Sequence, residues 1–107
     1  MGSPQYGELV LDGEPFAKEI EHESLTWSDD RRFLAAQQLV SWGKGPRTRI
    51  AVIDVERRAE LVTTADAAGL CQPVRFEDDT LVYRHWHHER GEHELRIELP
   101  SVPAGGR

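Results

Sequence analysis

The sequence has one cysteine, one methionine and no long apolar run, and each scarcity argues against a class of protein. Cys71 alone cannot form an internal disulfide, which favours a reducing compartment and predicts a cytoplasmic location. No segment approaches the ~20 apolar residues of a membrane-spanning helix. Residues 1–5 lack the basic and apolar regions of a secretory signal. We therefore expect a soluble protein without a membrane partner.

Positive charge is also scarce. The 107 residues include 13 Lys and Arg against 19 Asp and Glu, a net charge of −6. Nucleic-acid binding depends on clustered basic side chains, so this composition argues against a nucleic-acid partner. The same charge suits a basic protein partner. The length predicts a single domain over residues 1–107.

Short alternating segments separated by turn residues dominate the chain and predict an all-β fold. Strands are predicted at residues 6–11, 16–23, 25–27, 32–40, 48–55, 59–64, 73–77, 80–88 and 93–99. Residues 32–40 are apolar enough to be buried on parts of both faces, although an amphipathic helix over residues 31–42 is an alternative. Residues 64–70 could form a helical turn or a loop. The ordered core should span residues 6–99, with flexible tails at 1–5 and 100–107.

Residues 24–55 and 74–99 share one plan: an aromatic residue, an acidic turn, a strand, a polar connection and another strand. Trp27-Ser28-Asp29-Asp30, with the strands that follow, resembles a blade of a TolB-like or WD-like β-propeller. In those families a turn of the Trp-Ser-Pro-Asp-Gly kind joins the first two strands, and here the Pro-Asp-Gly is replaced. The resemblance implies a four-stranded unit at 25–64 and an incomplete one at 73–99. It also makes residues 6–23 the last strands of a preceding unit.

About two and a half such units cannot close a propeller, which needs about four or more blades. The fold class is therefore predicted as antiparallel meander sheets that form an open sheet or a sandwich. Open sheets have edges that invite pairing, so a homodimer is also expected.

Acidic side chains form the first group of candidate binding residues. Alternation over residues 16–23 places Glu19, Glu21 and Glu23 on one strand face. This strip is either a solvated face or a docking site for a basic partner. Two equivalent turns contain Asp29 and Asp30, and Asp78 and Asp79; these would add an acidic rim if both lie at one end of the sheet.

Tryptophans form the second group, because this residue often dominates binding energy at interfaces. Trp27 and Phe76 occupy matching repeat positions and are predicted to be core. Trp42 starts a loop and Trp86 lies near a strand end, so these two are candidate exposed anchors, with core packing as the alternative.

Histidines and the cysteine are the remaining candidates for chemistry. His85 and His87 share a strand face, and His93 could face them across a hairpin, which makes a weak candidate metal site. Solvated histidines or a pH-sensitive surface are the alternatives. Cys71 has no neighbouring base in the sequence and is predicted to be a small buried side chain. No Gly-x-Ser-x-Gly or His-Glu-x-x-His motif occurs, so we predict no catalysis and no cofactor.

Two functions of different classes fit these features. A small, acidic, all-β protein is similar in general character to the immunity proteins of bacterial toxin systems, which mask a basic partner by occluding it. In that case Glu19, Glu21, Glu23, Asp29 and Asp30 would steer association, and Trp42 or Trp86 would anchor it. The alternative is a homo-oligomeric scaffold module, and a small histidine–metal enzyme is a weaker third hypothesis.

Overall fold

A computed structural model describes residues 6–11, 13–21 and 25–100. These residues form ten strands: β1 Tyr6–Leu11, β2 Glu14–Glu21, β3 Thr26–Trp27, β4 Phe33–Ser41, β5 Arg47–Asp54, β6 Ala59–Thr63, β7 Ala67–Ala68, β8 Leu70–Glu77, β9 Thr80–His87 and β10 Gly91–Glu98. The predicted all-β class is confirmed, and the helical alternative for residues 31–42 is wrong. The predicted tail at 1–5 lies outside the described residues, as do Glu23 and all of the predicted tail at 100–107 except Pro100.

The strands form two open antiparallel sheets. The first has the order β1-β2-β4-β5-β6, with β3 also paired to β4 and β7 to β5; the second has the order β10-β9-β8. Strands β3 to β6 pair in succession, as do β8 to β10, so the two predicted meander units are present. The resemblance to propeller blades stays a prediction. Residues 64–70 contain β7, which is neither a helical turn nor a simple loop.

No helix that could cross a membrane occurs in the part of the chain that the structure describes.

The core is centred on β4 and β5. Residues 34–37 and 50–54 are all buried, which confirms that this apolar segment is covered on both faces. On the face towards the second sheet, Ala35, Ile50 and Val52 pack with Cys71 and Leu81. Because sheets bury one face against each other, these five side chains join the two layers.

The β1–β2 hairpin joins the first sheet beside β4. β2 pairs with β4 through Ile20 and Gln38, and Glu19, beside this contact, has a left-handed φ of 59°. A straight β2 would extend past the end of β4, yet Glu14 Oε1 lies 3.8 Å from Arg58 Nη1 in the β5–β6 turn, at the other end of the sheet. We infer that the hairpin bends back towards that turn.

Side chains of the first sheet form hydrogen bonds with backbone groups along the outer edge of β8 and just before it. The Gln37 Nε2–H group donates to Cys71 O at 2.7 Å, and the Thr48 hydroxyl donates to Gly69 O at 2.8 Å. Thr48 Oγ1 in turn accepts the Cys71 N–H at 2.9 Å. The Thr26 hydroxyl adds a longer bond to Pro73 O at 3.4 Å. Backbone groups that would otherwise be unpaired at a buried edge are thereby satisfied.

β10 forms the outer edge of the second sheet. Its predicted inward face comprised Leu95, Ile97 and Leu99. Ile97 and Leu99 do pack against the core, but Leu95 is 41% exposed. The prediction was wrong for Leu95, because an edge strand is covered only where the facing sheet reaches it.

A buried ion pair fixes the start of β4 to the end of β5. Asp54, 1% exposed, accepts bonds from Arg32 Nε at 3.2 Å and Nη2 at 3.0 Å, and from the Arg57 N–H at 3.3 Å. Burial by itself would raise the pKa of the Asp54 carboxyl, but the bonds from Arg32 and Arg57 outweigh it. The pKa of Asp54 is therefore lowered.

Acid should weaken this fold partly through Asp54. Because the folded-state pKa is lowered, the stabilisation is present above the unfolded value of about 3.9 and is lost as pH falls through the folded pKa. We expect Asp54→Asn to cost about 1–3 kcal/mol at pH 7 and less at pH 3. Urea unfolding of both proteins at the two pH values tests this. An equal difference at both values would contradict it, since the other acids are common to both proteins.

Candidate functional site

The predicted binding residues lie in three places rather than on one surface. β4 runs from Asp29 and Asp30 at one end to Trp42 at the other, and β9 likewise runs from Asp79 towards Trp86. A nine-residue strand spans about 30 Å at ~3.3 Å per residue. One small interface cannot therefore contain both the aspartates and the two predicted tryptophan anchors.

The two acidic turns meet at one end of the molecule, as the conditional prediction required. Asp29, Asp30, Asp78 and Asp79 all line one cavity of about 240 Å³. The other described residues that line it are Ser28, Phe33 and Phe76, so it has no basic side chain from the described part of the chain. We call this region the acidic end.

Local hydrogen bonds hold the first turn rigidly. Asp30 Oδ1 accepts the Ser28 hydroxyl at 2.6 Å and the Arg32 N–H at 3.1 Å. Ser28 Oγ also accepts the Phe33 N–H at 3.0 Å, which ties the turn to β4. The bond from Ser28, followed by that from Arg32, lowers the pKa of the Asp30 carboxyl. Asp30 is thus a structural member of the turn as well as a negative charge.

The other three carboxylates are available to a ligand. Asp78, with a φ of 55°, and Asp79 form the two-residue connection between β8 and β9, and Asp79 O accepts the Leu99 N–H at 2.7 Å. Within the described residues, the side chains of Asp29, Asp78 and Asp79 have no hydrogen bond or ion pair. All three are exposed.

An exposed tryptophan, Trp27, directly precedes the first acidic turn in the chain, and it is the one predicted to be core. Trp27 is 38% exposed, and the Arg31 guanidinium carbon lies 5.8 Å from its ring centroid. The core prediction was wrong because β3 has only two residues and pairs on one side, with β4. Phe76, its repeat counterpart, is half-buried and packs against the core. The repeat pattern gave no signal that the two positions differ.

The glutamate strip does not exist as predicted. Glu19 is exposed, whereas Glu21 is 4% exposed and is buried beside Ile20. The left-handed φ of Glu19 breaks the two-residue alternation on which the prediction depended. Glu23 lies outside the described residues, so the strip cannot be assessed there.

Glu21 instead belongs to a buried polar group with Tyr6 and Gln37. It pairs with Tyr6 across β1 and β2, and the Tyr6 hydroxyl donates to Gln37 Oε1. Burial, with a smaller contribution from the Glu21 charge, raises the pKa of Tyr6 to about 12. Glu21 Oε1 has no hydrogen-bond partner among the residues that the structure describes. A side chain in this position cannot steer a partner from solution.

Trp42 and Trp86 are exposed by 52% and 45%, so the core alternative for them is wrong. The Trp42 ring meets Tyr6 edge-on at 6.5 Å between centroids. Trp86 lines a cleft at this end together with the β4–β5 loop and the residues after β9.

His93 pairs directly with His85 across the β9–β10 hairpin, as the prediction required, but the three candidate histidines do not form a metal-binding group. His85 Nε2 bonds to Ala68 O at 2.6 Å, and His93 Nε2 bonds to Arg90 O at 3.0 Å. His87 Nδ1 accepts the Glu89 N–H at 3.2 Å. Among the described residues, no group of three or more His, Cys, Asp or Glu side chains could hold a metal ion. The weak prediction of a metal site is therefore wrong: one nitrogen of each imidazole is hydrogen-bonded to a backbone group.

Cys71 is 3% exposed, as predicted for a small buried residue. Burial raises the pKa of its thiol, with a smaller opposing contribution from Thr48. A raised pKa disfavours the thiolate, which is the nucleophilic form.

Comparisons with protein-family models, with curated proteins and with solved structures returned no match. The geometry of the two ends of the molecule is therefore the basis on which function is inferred.

Proposed function

We propose that this protein is a non-catalytic binding module that masks a basic partner protein, and that its binding surface is the acidic end. The observation that carries the proposal is the convergence of two turns on one cavity. Asp29, Asp78 and Asp79 place three carboxylates without partners in the described chain around it, and Asp30 adds a fourth charge. A lysine or arginine side chain of the partner would enter between them.

The cavity also offers apolar contact. Phe33 and Phe76 line it beside the carboxylates. Peripheral charges mainly raise the association rate, whereas buried aromatic contacts slow dissociation. An interface of this composition suits a protein that acts by occlusion, in the manner of toxin immunity proteins. The expected aromatic contacts thus shift from Trp42 and Trp86 to Phe33 and Phe76.

Self-association through a sheet edge is the second candidate. Among the described strands, β10 pairs on one side only, with β9, so Gly91–Glu98 presents an unpaired edge. Charged residues along β10, however, are typical of edges protected against pairing. Light scattering separates the candidates: a stable dimer supports the scaffold, and a monomer that binds another protein supports masking.

The masking proposal is tested with tagged protein in lysate of the source cells. Asp29→Asn, Asp78→Asn and Asp79→Asn together should abolish capture of a basic partner. With that partner purified, they should slow association about 10- to 100-fold at low salt, because electrostatic steering raises on-rates by this order. The matched control is Glu8→Gln, Glu19→Gln and Glu89→Gln, which changes net charge equally at exposed sites elsewhere.

The control should leave capture intact and change the association rate less than about three-fold, the size of a general charge effect. Equal effects of the two triple variants would mean that net charge alone matters. Unchanged binding by the aspartate variant would reject the acidic end as the interface.

A further inference from the structure

The cleft at the other end of the molecule, which we call the loop cleft, is lined by basic rather than acidic side chains. It has a volume of about 190 Å³ and lies between the β4–β5 loop, the β7–β8 connection and the end of β9. Its larger lining side chains are Lys44, Arg47, Trp86, His87 and His88; the other lining residues are Pro46 and small residues. None of the described residues that line it is acidic, in a chain where acids outnumber bases by 19 to 13.

Lys44 supplies a positive charge that the protein does not neutralise. Arg47 lies 2.8 Å from the Asp66 carboxylate, so its charge is balanced locally. Lys44, by contrast, has no ion pair or hydrogen bond with any described residue. A positively charged side chain that lines a small, mostly apolar cleft favours an anionic ligand.

The walls of the cleft are fixed by backbone contacts. The Gly69 N–H donates to Pro46 O at 2.8 Å, and the Gly45 N–H donates to Trp42 O at 2.6 Å. Gly69 also lies directly against the backbone carbonyl of Trp86, so close that a Cβ atom would not fit. The loop, the β7–β8 connection and β9 therefore keep their relative positions without a ligand, which reduces the entropic cost of binding.

Aromatic groups line the cleft beside Lys44. Trp86 is 45% exposed, and the His87 and His88 rings lie 4.5 Å apart with an angle of 32° between their planes. Planar rings pack well against such groups. We propose that this cleft binds a small aromatic anion, a planar ring that carries a carboxylate or a phosphate. The anionic group pairs with Lys44, and the ring packs beside Trp86.

This site is independent of the proposed masking function, because it lies at the end away from the acidic turns. Its test is a titration of ¹⁵N-labelled protein, followed by NMR at the amides of Gly43, Gly45 and Gly69 and at the Trp86 indole. The probes are benzoate and phenyl phosphate, with phenol as the uncharged ring and inorganic phosphate as the anion without a ring. At least one aromatic anion should bind saturably, at least ten-fold more tightly than either control probe. Comparison of benzoate with phenyl phosphate identifies the preferred anionic group.

The chain offers a matched pair of variants, because Lys18 is its only other lysine. Lys44→Gln should weaken binding of the preferred probe about ten-fold. Lys18→Gln, at an exposed position of β2, should leave this binding unchanged. Trp86→Leu should weaken it by a similar factor while the spectrum stays dispersed. The proposal is overturned if no aromatic anion saturates the site, if phenol or inorganic phosphate binds equally well, or if the two lysine variants behave alike.

Discussion

Replacement of Gly69 by alanine should destabilise this protein more than any other glycine-to-alanine change at a described site. Gly69 has a φ of +102°, and an added Cβ would overlap the Trp86 carbonyl oxygen and lie 3.1 Å from its carbon. The overlapped group is backbone within β9, so no side-chain rotation relieves it. Backbone strain of about 1–3 kcal/mol and overpacking of about 1–3 kcal/mol together predict a loss of about 2–6 kcal/mol.

Gly91→Ala is the matched control. Gly91 also has a positive φ, +79°, but nothing lies within 4 Å of a Cβ built there. This variant should lose only the cost of left-handed backbone, about 1–2 kcal/mol. Thermal unfolding followed by circular dichroism measures both, at roughly 4–8 °C per kcal/mol for a domain of this size. Equal shifts in melting temperature would show that β9 moves away from residue 69 at little cost.

Thr48→Val should have the second largest effect. The Thr48 hydroxyl donates to Gly69 O and accepts the Cys71 N–H, and the residue is fully buried. Valine has nearly the same shape but leaves both backbone groups of the β8 edge without partners. Each buried unpaired group costs about 1–3 kcal/mol, so we expect a loss of about 2–5 kcal/mol in the free energy of unfolding.

Thr48→Ser separates the hydrogen bonds from packing. Serine keeps the hydroxyl and removes one methyl group, at a cost of about 1 kcal/mol. Urea denaturation should therefore rank the proteins as wild type, Thr48→Ser and Thr48→Val in decreasing stability. If valine were as stable as serine, the closure of the β8 edge would not depend on this side chain, and Gln37 and Thr26 would be the remaining candidates.

Both variants act at the seam between the sheets, which also forms a wall of the loop cleft. Gly69 and Thr48 are bonded to each other there, and Gly69 lines the cleft. A milder destabilisation at this seam should therefore weaken binding in the cleft before it affects the acidic end, which is stabilised by the separate bonds of Ser28 and Asp30.

The repeat in the sequence was a good guide to the acidic end. Two acidic turns that each precede an apolar strand in equivalent meander units must emerge at equivalent ends of those units. The prediction depended on whether the two sheets align, and they do: all four aspartates line one cavity. The sequence could not show that Phe33 would line this cavity, which depends on how the two sheets pack, or that Trp27 would be exposed, which depends on how short β3 is.

The prediction of a glutamate strip was wrong because of the local conformation of Glu19, in a hairpin that contacts a distant part of the chain. Alternation is a reliable rule only while each residue stays extended, and Glu19 does not. The hairpin that contains it turns back towards Arg58, about forty residues later in the chain, and nothing in residues 16–23 encodes that contact. The loop cleft was missed similarly: its walls come from three segments, and Gly43-Lys44-Gly45-Pro46 in isolation predicts only a loop.

Side-chain period and composition within a few residues were enough to predict the strands, the turns, the buried character of β4 and β5 and the excess of negative charge. They could not predict which charges and aromatic rings share a surface. Packing of one sheet on the other brought the four aspartates together and left Lys44 beside Trp86, and the bent β1–β2 hairpin placed Glu21 in the interior. Such contacts join residues far apart in the chain, and their geometry is set by the bend of a hairpin and the closure of a sheet edge.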